Sequence, residues 1–411
     1  MMTILLYFFL FAALVLGGFM VGPLSVRVYF SVLFFLALLN FKTNALSFTV
    51  KNFLKIYVCF IIVTTLTLLL NGEIVESNFL KKFLAYYFPA LLTIYGVGSY
   101  ICDFSTVKRL LGLLCGIGIV TSIVTWLQYF GNSFGTTIGL MFINSEQAHN
   151  DILDSLDMVE SGGAFGSGIA VGIMGLVFTN SYFISSVGAI PYLYKDYFKS
   201  SVYKFLIYAL LLMMFFACFM TQERSSFFAL LVIDSFLIGG FFSKAFSQKK
   251  IFLFIFLVLI SFLFFDSFPS FDMGRLSEFS AEEDSRNAIW SDCLVFLSNH
   301  WLLGGPVSYD KFSHSVAPHN FFLTSLINSG LVGGLIAIYM YVKLSYSALK
   351  TIVKKHIRNE TRIVACCLII SFLYSLVHNS TFSEGDVLQT IFCILHLKTI
   401  EFENKFQLAN R

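Results

Sequence analysis

Apolar residues in this chain run in long blocks broken by short polar stretches, with little of the strict alternation that marks a half-buried strand. The blocks fall at residues 3–20, 26–40, 53–70, 83–101, 110–129, 163–184, 205–220, 227–242, 251–265, 320–342, 363–378 and 385–397. Most approach the length of about 20 apolar residues that a helix needs to cross a bilayer. Helices satisfy their own backbone groups there, which an open strand cannot do. The pattern predicts an all-α, polytopic integral membrane protein of about 12 transmembrane helices. The second and last blocks are short enough to be tilted or partly re-entrant. Residues 3–20 lack a basic flank and a small-residue cleavage site, so they are expected to be a retained first helix.

Composition agrees with lipid as the solvent. Of the 411 residues, 57% are hydrophobic and 12% charged, more apolar surface than a water-soluble fold of this size can hide. One membrane domain, residues 1–411, is expected. The net charge of +3 is less informative than where the charges lie. With the N-terminus in the cytoplasm, all 27 basic residues except Arg27, Lys81, Lys82, Arg224, Arg275, Arg286 and Lys311 fall on the cytoplasmic side. This bias predicts that both termini are cytoplasmic. Acidic residues show the reverse, with Glu146, Asp151, Asp154, Asp157, Glu160, Asp272, Glu278, Glu282, Glu283 and Asp284 in outer segments. Cys293 is the one cysteine in an outer loop, so a structural disulfide is not expected.

Two outer segments are long, residues 131–162 and 266–318, and no internal repeat of the kind found in many transporters is visible. Residues 266–318, between the ninth and tenth spans, contain a helix signal. Ser280 and Glu283 form a capping box, and Ile289, Trp290, Cys293, Leu294, Phe296 and Leu297 follow at helical spacing. An amphipathic helix on the outer membrane surface is expected, with Trp290 and Trp301 at the interface. Gly304, Gly305 and Pro306 break it, and the chain returns through Pro318, His319 and Asn320 to the mouth of the tenth span.

Few residues here suit chemistry. Arg224 stands in a short outer turn between two very apolar helices, where a guanidinium is a good bidentate partner for a phosphate or diphosphate. Pairing with Glu223, or snorkelling to the headgroups, would explain it equally well. Arg286 lies four residues before Trp290, on the same helix face. His319 precedes a helix N-terminus, whose dipole favours a neutral, proton-accepting imidazole, although a cap or loop role is the commoner use of such a residue. Glu384 and Asp386 open the last span and are possible bases or metal ligands, or simply caps. Asp234 falls about 15 Å below Arg224 on one helix, near mid-membrane, and is read as a protonated or hydrogen-bonded structural acid. No Asp-x-Asp pair occurs, and His149, His300, His314 and His378 lack metal-ligand spacing, so neither metal nor cofactor is expected.

Three segments in this order resemble the bacterial O-antigen polymerases and O-antigen ligases: residues 221–226 ahead of an apolar helix; Ser285 and Arg286 with Trp290, followed by Leu303, Gly304 and Gly305; and Pro318, His319 and Asn320, followed by Gly330, Gly333 and Gly334. The resemblance covers roughly the second half of the chain. It implies a membrane-embedded glycosyltransferase fold of the C type with a large periplasmic loop, acting without metal at the periplasmic face of the bacterial inner membrane. Donor and acceptor would be undecaprenyl-diphosphate-linked oligosaccharides. Arg224 would bind the donor diphosphate, Arg286 would assist, and His319 would act on the acceptor hydroxyl or position the diphosphate. Trp290, Asn320, Glu384 and Asp386 are secondary candidates. A chain-length regulator and a flippase are conceivable partners in the bilayer, and nucleic acid is not. The 50 phenylalanines favour a polymerase over a ligase, which would use the lipid A core as acceptor.

A lipid-linked oligosaccharide flippase or transporter is the rival from another class, with Asp234 as its ion site. Such a protein would place charges along a central path, whereas here they sit at the outer rim. A peptidoglycan glycosyltransferase of the shape, elongation and division type is a nearer rival, but would use an acidic residue in the large loop.

Overall fold

A computed structural model describes residues 2–17, 19–41, 43–72, 74–75, 78–142, 170–195, 200–221, 223–238, 285–305, 318–354, 356–376, 378 and 381–409. The helices, in chain order, are α1 Met2–Leu14, α2 Val26–Asn40, α3 Phe48–Leu70, α4 Phe79–Lys82, α5 Phe88–Tyr100, α6 Phe104–Tyr129, α7 Ser133–Met141, α8 Val177–Val187, α9 Ser201–Met220, α10 Arg224–Ile238, α11 Ser285–His300, α12 Phe321–Val353, α13 Asn359–Ser375 and α14 Val387–Ala409. Met20–Val21 and Leu24–Ser25 make a two-stranded antiparallel turn between α1 and α2, and a π-helical turn, Phe83–Tyr87, runs into α5. The predicted ninth span and the Ser280–Glu283 capping box lie outside the described residues, as do most of residues 131–169.

Among the described residues, Phe48–Leu70, Phe104–Tyr129, Val202–Met220 and Phe321–Val353 are long and apolar enough to cross a membrane, with α1 and α2 shorter apolar helices. Their outward faces carry bare Ile62, Leu66, Leu69, Leu212, Val332, Leu335 and Val342. That much exposed hydrocarbon suits lipid and would be costly in water. Some buried hydroxyls return to their own helices, as where Thr93 donates to the Pro89 carbonyl, and others cross to a neighbour, as where Tyr57 donates to the Phe382 carbonyl. The core is built around α13, which packs on α8, α10, α12 and α14, while α3 packs on α12 and α5 on α14.

Two of the predicted spans are broken. Residues 163–184 were expected to form one helix, but α8 begins only at Val177, and turns occupy residues 172–175. Gly172 and Gly175 take positive φ there, and the Gly172 and Ile173 amides donate to Gln128 Oε1 (2.8 Å) and Thr121 Oγ1 (3.1 Å). Side chains of α6 thus satisfy backbone groups that a helix would have paired internally.

The second break is at Gly330 in α12, with φ 62° and ψ −173°. The chain leaving α11 is stitched into this gap. Leu331 N–H donates to the Leu302 carbonyl (3.1 Å), Gly305 N–H donates to that of Ile327 (2.8 Å), and Asn71 Nδ2 donates to that of Leu303 (3.1 Å). A Cβ on Gly304 would collide with the Ile327 carbonyl, and one on Gly330 with that of Leu302. Thr67 Oγ1 donates to the Ser329 carbonyl (3.3 Å). Helix α11 docks on α12 through buried Ile289, Cys293 and Ile327, while Leu294 and Val295 face outward.

Candidate active site

The two ends of the bundle differ in character. At one, Lys108 pairs with Glu360 (2.8 Å), and Glu403 accepts the Arg358 N–H (2.9 Å) and the Thr361 hydroxyl (3.2 Å). The candidate residues gather at the other, where the starts of α10 and α12, the chain just past the end of α13 and the first half of α11 come together.

Asn320 organises the start of α12. Its Oδ1 accepts the Phe322 and Leu323 amides (3.0 and 3.2 Å), as an N-cap should, and its Nδ2 donates to the Leu376 carbonyl at the end of α13 (3.1 Å). One residue earlier, His319 takes φ 47°. A left-handed non-glycine residue costs about 1–2 kcal/mol, and such strain persists where the surroundings over-determine it, often at functional sites. Here the neighbours fix it on both sides. Asn320 is held as described, and the Pro318 carbonyl accepts Trp290 Nε1–H (2.7 Å). Trp290 lies one turn past Arg286, the second residue of α11.

His378 occupies the next layer. Its ring stacks on Tyr374 (centroids 4.3 Å apart, 9° between planes), sits edge-on to His319 (6.0 Å, 73°), and lies 5.5 Å from the Phe178 ring. Its Nε2 is 3.3 Å from Glu223 Oε2, an ion-pair distance at an angle too poor for a hydrogen bond. Both side chains are buried. Glu223 immediately precedes α10 and its carbonyl accepts the Phe227 amide, so the pair ties the residue before Arg224 to the layer under His319.

The stack continues away from His319. Tyr182 stacks on Tyr374 (4.8 Å) and donates its hydroxyl to Asp386 Oδ1 (2.9 Å), which also accepts the Gln389 amide (2.6 Å) and so caps α14. Glu384 Oε1 accepts Asn328 Nδ2 (2.6 Å). Burial pushes both carboxyls above the usual carboxylate range; the Asn328 hydrogen bond opposes this at Glu384, and the Gln389 amide, the Tyr182 hydroxyl and Arg27 oppose it at Asp386.

The structure thus ties Trp290 to the His319 turn and Glu223, the residue before Arg224, to the layer next to His319; Arg286 lies one turn before Trp290 on α11, Asn320 has a capping and bridging task, and Glu384 and Asp386 lie by the start of α14. Sequence reasoning missed the Glu223–His378 pair. Among the described residues, no three His, Cys, Asp or Glu side chains are placed to hold a metal ion.

Residues 209–338 match the family model described as O-antigen ligase. The matched stretch runs from within α9 through α10 and α11 to just past the Gly330 break, about a third of the chain. It includes Glu223, Arg224, Arg286, Trp290, His319 and Asn320, and stops short of Tyr374, His378, Glu384 and Asp386. The O-antigen ligase match supports a glycosyltransferase-like enzyme of the ligase and polymerase kind, acting on lipid-linked glycans in a membrane. It does not separate ligase from polymerase, and it lends no support to the flippase alternative. A comparison with curated proteins returns no match.

Proposed function

We propose that this protein is a surface-polysaccharide polymerase, transferring an undecaprenyl-diphosphate-linked glycan onto a lipid-linked repeat unit at the periplasmic face of the bacterial inner membrane. The observation that carries the reading is the meeting of the α10 start, the strained His319 turn and the Trp290 end of α11 within a stretch matched as O-antigen ligase.

Transfer breaks the bond from the anomeric carbon to the diphosphate, so negative charge grows on the leaving group. Arg224 and Arg286 stabilise that charge, each able to fork onto phosphate oxygens. His319 takes the proton from the attacking acceptor hydroxyl. The α11 segment covers the site and limits attack by water.

Arg224→Ala and His319→Ala should each abolish polymer while the protein remains in the membrane. Wild-type chain-length ladders from either would overturn these roles. The family description itself favours a second reading, a ligase that uses the lipid A core as acceptor. A gel of surface polysaccharide from a deletion strain separates the two. Loss of a polymerase leaves core bearing one repeat unit, whereas loss of a ligase leaves bare core and polymer still on its lipid carrier.

A further inference from the structure

We propose that Glu223 and His378 are a positioning pair beneath His319 that compensates the charge left on His319 when it takes the acceptor proton. The proposal rests on the reading of His319 given above.

In the transfer step, the acceptor oxygen forms its bond to the anomeric carbon as its proton passes to His319. The bond from that carbon to the diphosphate oxygen breaks, and its electron pair leaves with the diphosphate. His319 becomes an imidazolium, which returns its proton to water once the products separate. A cation created in a dry, low-dielectric setting is costly unless opposite charge lies close by. The His378 ring sits 6.0 Å from that of His319, and a Glu223 carboxylate oxygen lies 3.3 Å from His378 Nε2. A carboxylate and an imidazole thus lie close to the His319 ring and act on its charge through space, without a hydrogen bond between Glu223 and His378.

Among the described residues, the groups facing His378 are Glu223 at the start of α10, His319 ahead of α12, Tyr374 of α13 and the apolar Phe178 of α8. The Tyr374 hydroxyl is committed to the Phe178 carbonyl (3.0 Å). Glu223 is therefore the acid within this set. A carboxylate and an imidazole kept together among aromatic rings cost desolvation that plain packing would avoid.

The test uses the full-length protein reconstituted in phosphatidylethanolamine and phosphatidylglycerol vesicles, with lipid-diphosphate-linked repeat units extracted from cells lacking the protein. Polymer ladders report the rate. Glu223→Gln and His378→Gln should lower kcat by about 10- to 100-fold with little change in KM. In Glu223→Gln the acid limb of the kcat–pH profile should also move to lower pH, because an amide no longer favours a charged imidazole nearby. Glu223→Asp, which keeps the carboxylate, should recover much of the rate and the wild-type limb. An unmoved limb, or a rise in KM at constant kcat, marks a mere structural brace and overturns the proposal. Should Glu223→Gln and His378→Gln fail to accumulate, Glu223→Asp carries the test: it should keep the wild-type KM and acid limb with a modest loss of kcat, and a rise in KM at constant kcat would refute the proposal. Polymer formation by His319→Ala would instead sink the functional reading beneath the pair, so the two failures are distinguishable.

Discussion

Replacing Gly330 by alanine should detach α11 from the bundle without touching a residue of the proposed chemistry. At φ 62° and ψ −173° the backbone occupies a region open essentially to glycine alone, and a side chain there costs about 1–3 kcal/mol. The new Cβ would also collide with the Leu302 carbonyl and crowd Leu303, both backbone, so no side chain can swing aside to relieve it. Relief requires the 302–305 segment to back away. That forfeits the Leu331 to Leu302 and Gly305 to Ile327 hydrogen bonds, each contributing about 1 kcal/mol. The total is about 3–5 kcal/mol, offset by about 1 kcal/mol if alanine lets α12 close into a continuous helix. Since about 1.4 kcal/mol is a factor of ten in an equilibrium, the docked arrangement of α11 should become a minority state and polymer output should fall at least ten-fold. Thermal unfolding in detergent reads the stability, and hydrogen exchange at the Leu331 and Gly305 amides reads the detachment. Gly116→Ala is the control, because nothing lies within 4 Å of a Cβ at that position on α6. A Gly330→Ala protein that melts with the wild type and keeps its Leu331 amide protected would refute the argument.

Asn320→Ala should destabilise the protein by about 1–2 kcal/mol and speed exchange at the Phe322 and Leu323 amides, whereas Asn320→Asp should restore the cap but not the bridge to Leu376. Trp290→Phe keeps the ring but loses the donor to the Pro318 carbonyl, so it should cost about 1 kcal/mol and lower the polymerisation rate more than the melting temperature; equal activity would dissociate the His319 turn from α11. Because burial raises the Glu384 carboxyl, the folded protein keeps that proton after the unfolded chain has lost it. The associated stability is fully present below the unfolded value of about 4.3 and is lost as pH rises through the folded one. Glu384→Gln removes this slope while its amide oxygen still accepts from Asn328, so its melting temperature should depend less on pH than that of the wild type, and parallel curves would refute the assignment.

Much of the helical layout was legible because hydrocarbon thickness imposes a length. The apolar block at residues 26–40 predicts a helix and α2 covers Val26–Asn40, shorter than the four helices long and apolar enough to cross a membrane among the described residues. Where expectation and structure part, local chemistry explains it. The last apolar block ends at 397, yet α14 runs on to Ala409. Its polar tail is still a good helix, laced by the Lys405–Glu401 pair (2.9 Å). The sixth apolar block runs through residues 172–175, where the structure has turns. Hydropathy cannot register that Gly172 and Gly175 adopt positive φ, nor that Gln128 and Thr121 stand ready to take amides released by the break.

The candidate site was legible where its parts are local and opaque where they are not. Pro318, His319 and Asn320 declare a turn and a cap in three consecutive residues, and Asn320 serves as that cap. Gly304 and Gly330 each stood out as motif glycines, but the reason is a shared one. Each lacks the Cβ that would strike the other segment's backbone, a constraint visible only once α11 returns to α12. Glu223 is the hardest case. Its neighbour Arg224 offers an obvious local partner, whereas the carboxylate reaches His378, far along the chain. In so apolar a protein a buried carboxylate is costly unless it meets opposite charge or donors. Which partner it meets depends on the helix that ends beside it, here α13. The packing of α13 against α10 therefore decides what lies beneath His319, and a substitution that shifted the end of α13 should disturb the Glu223–His378 pair as surely as one at either residue.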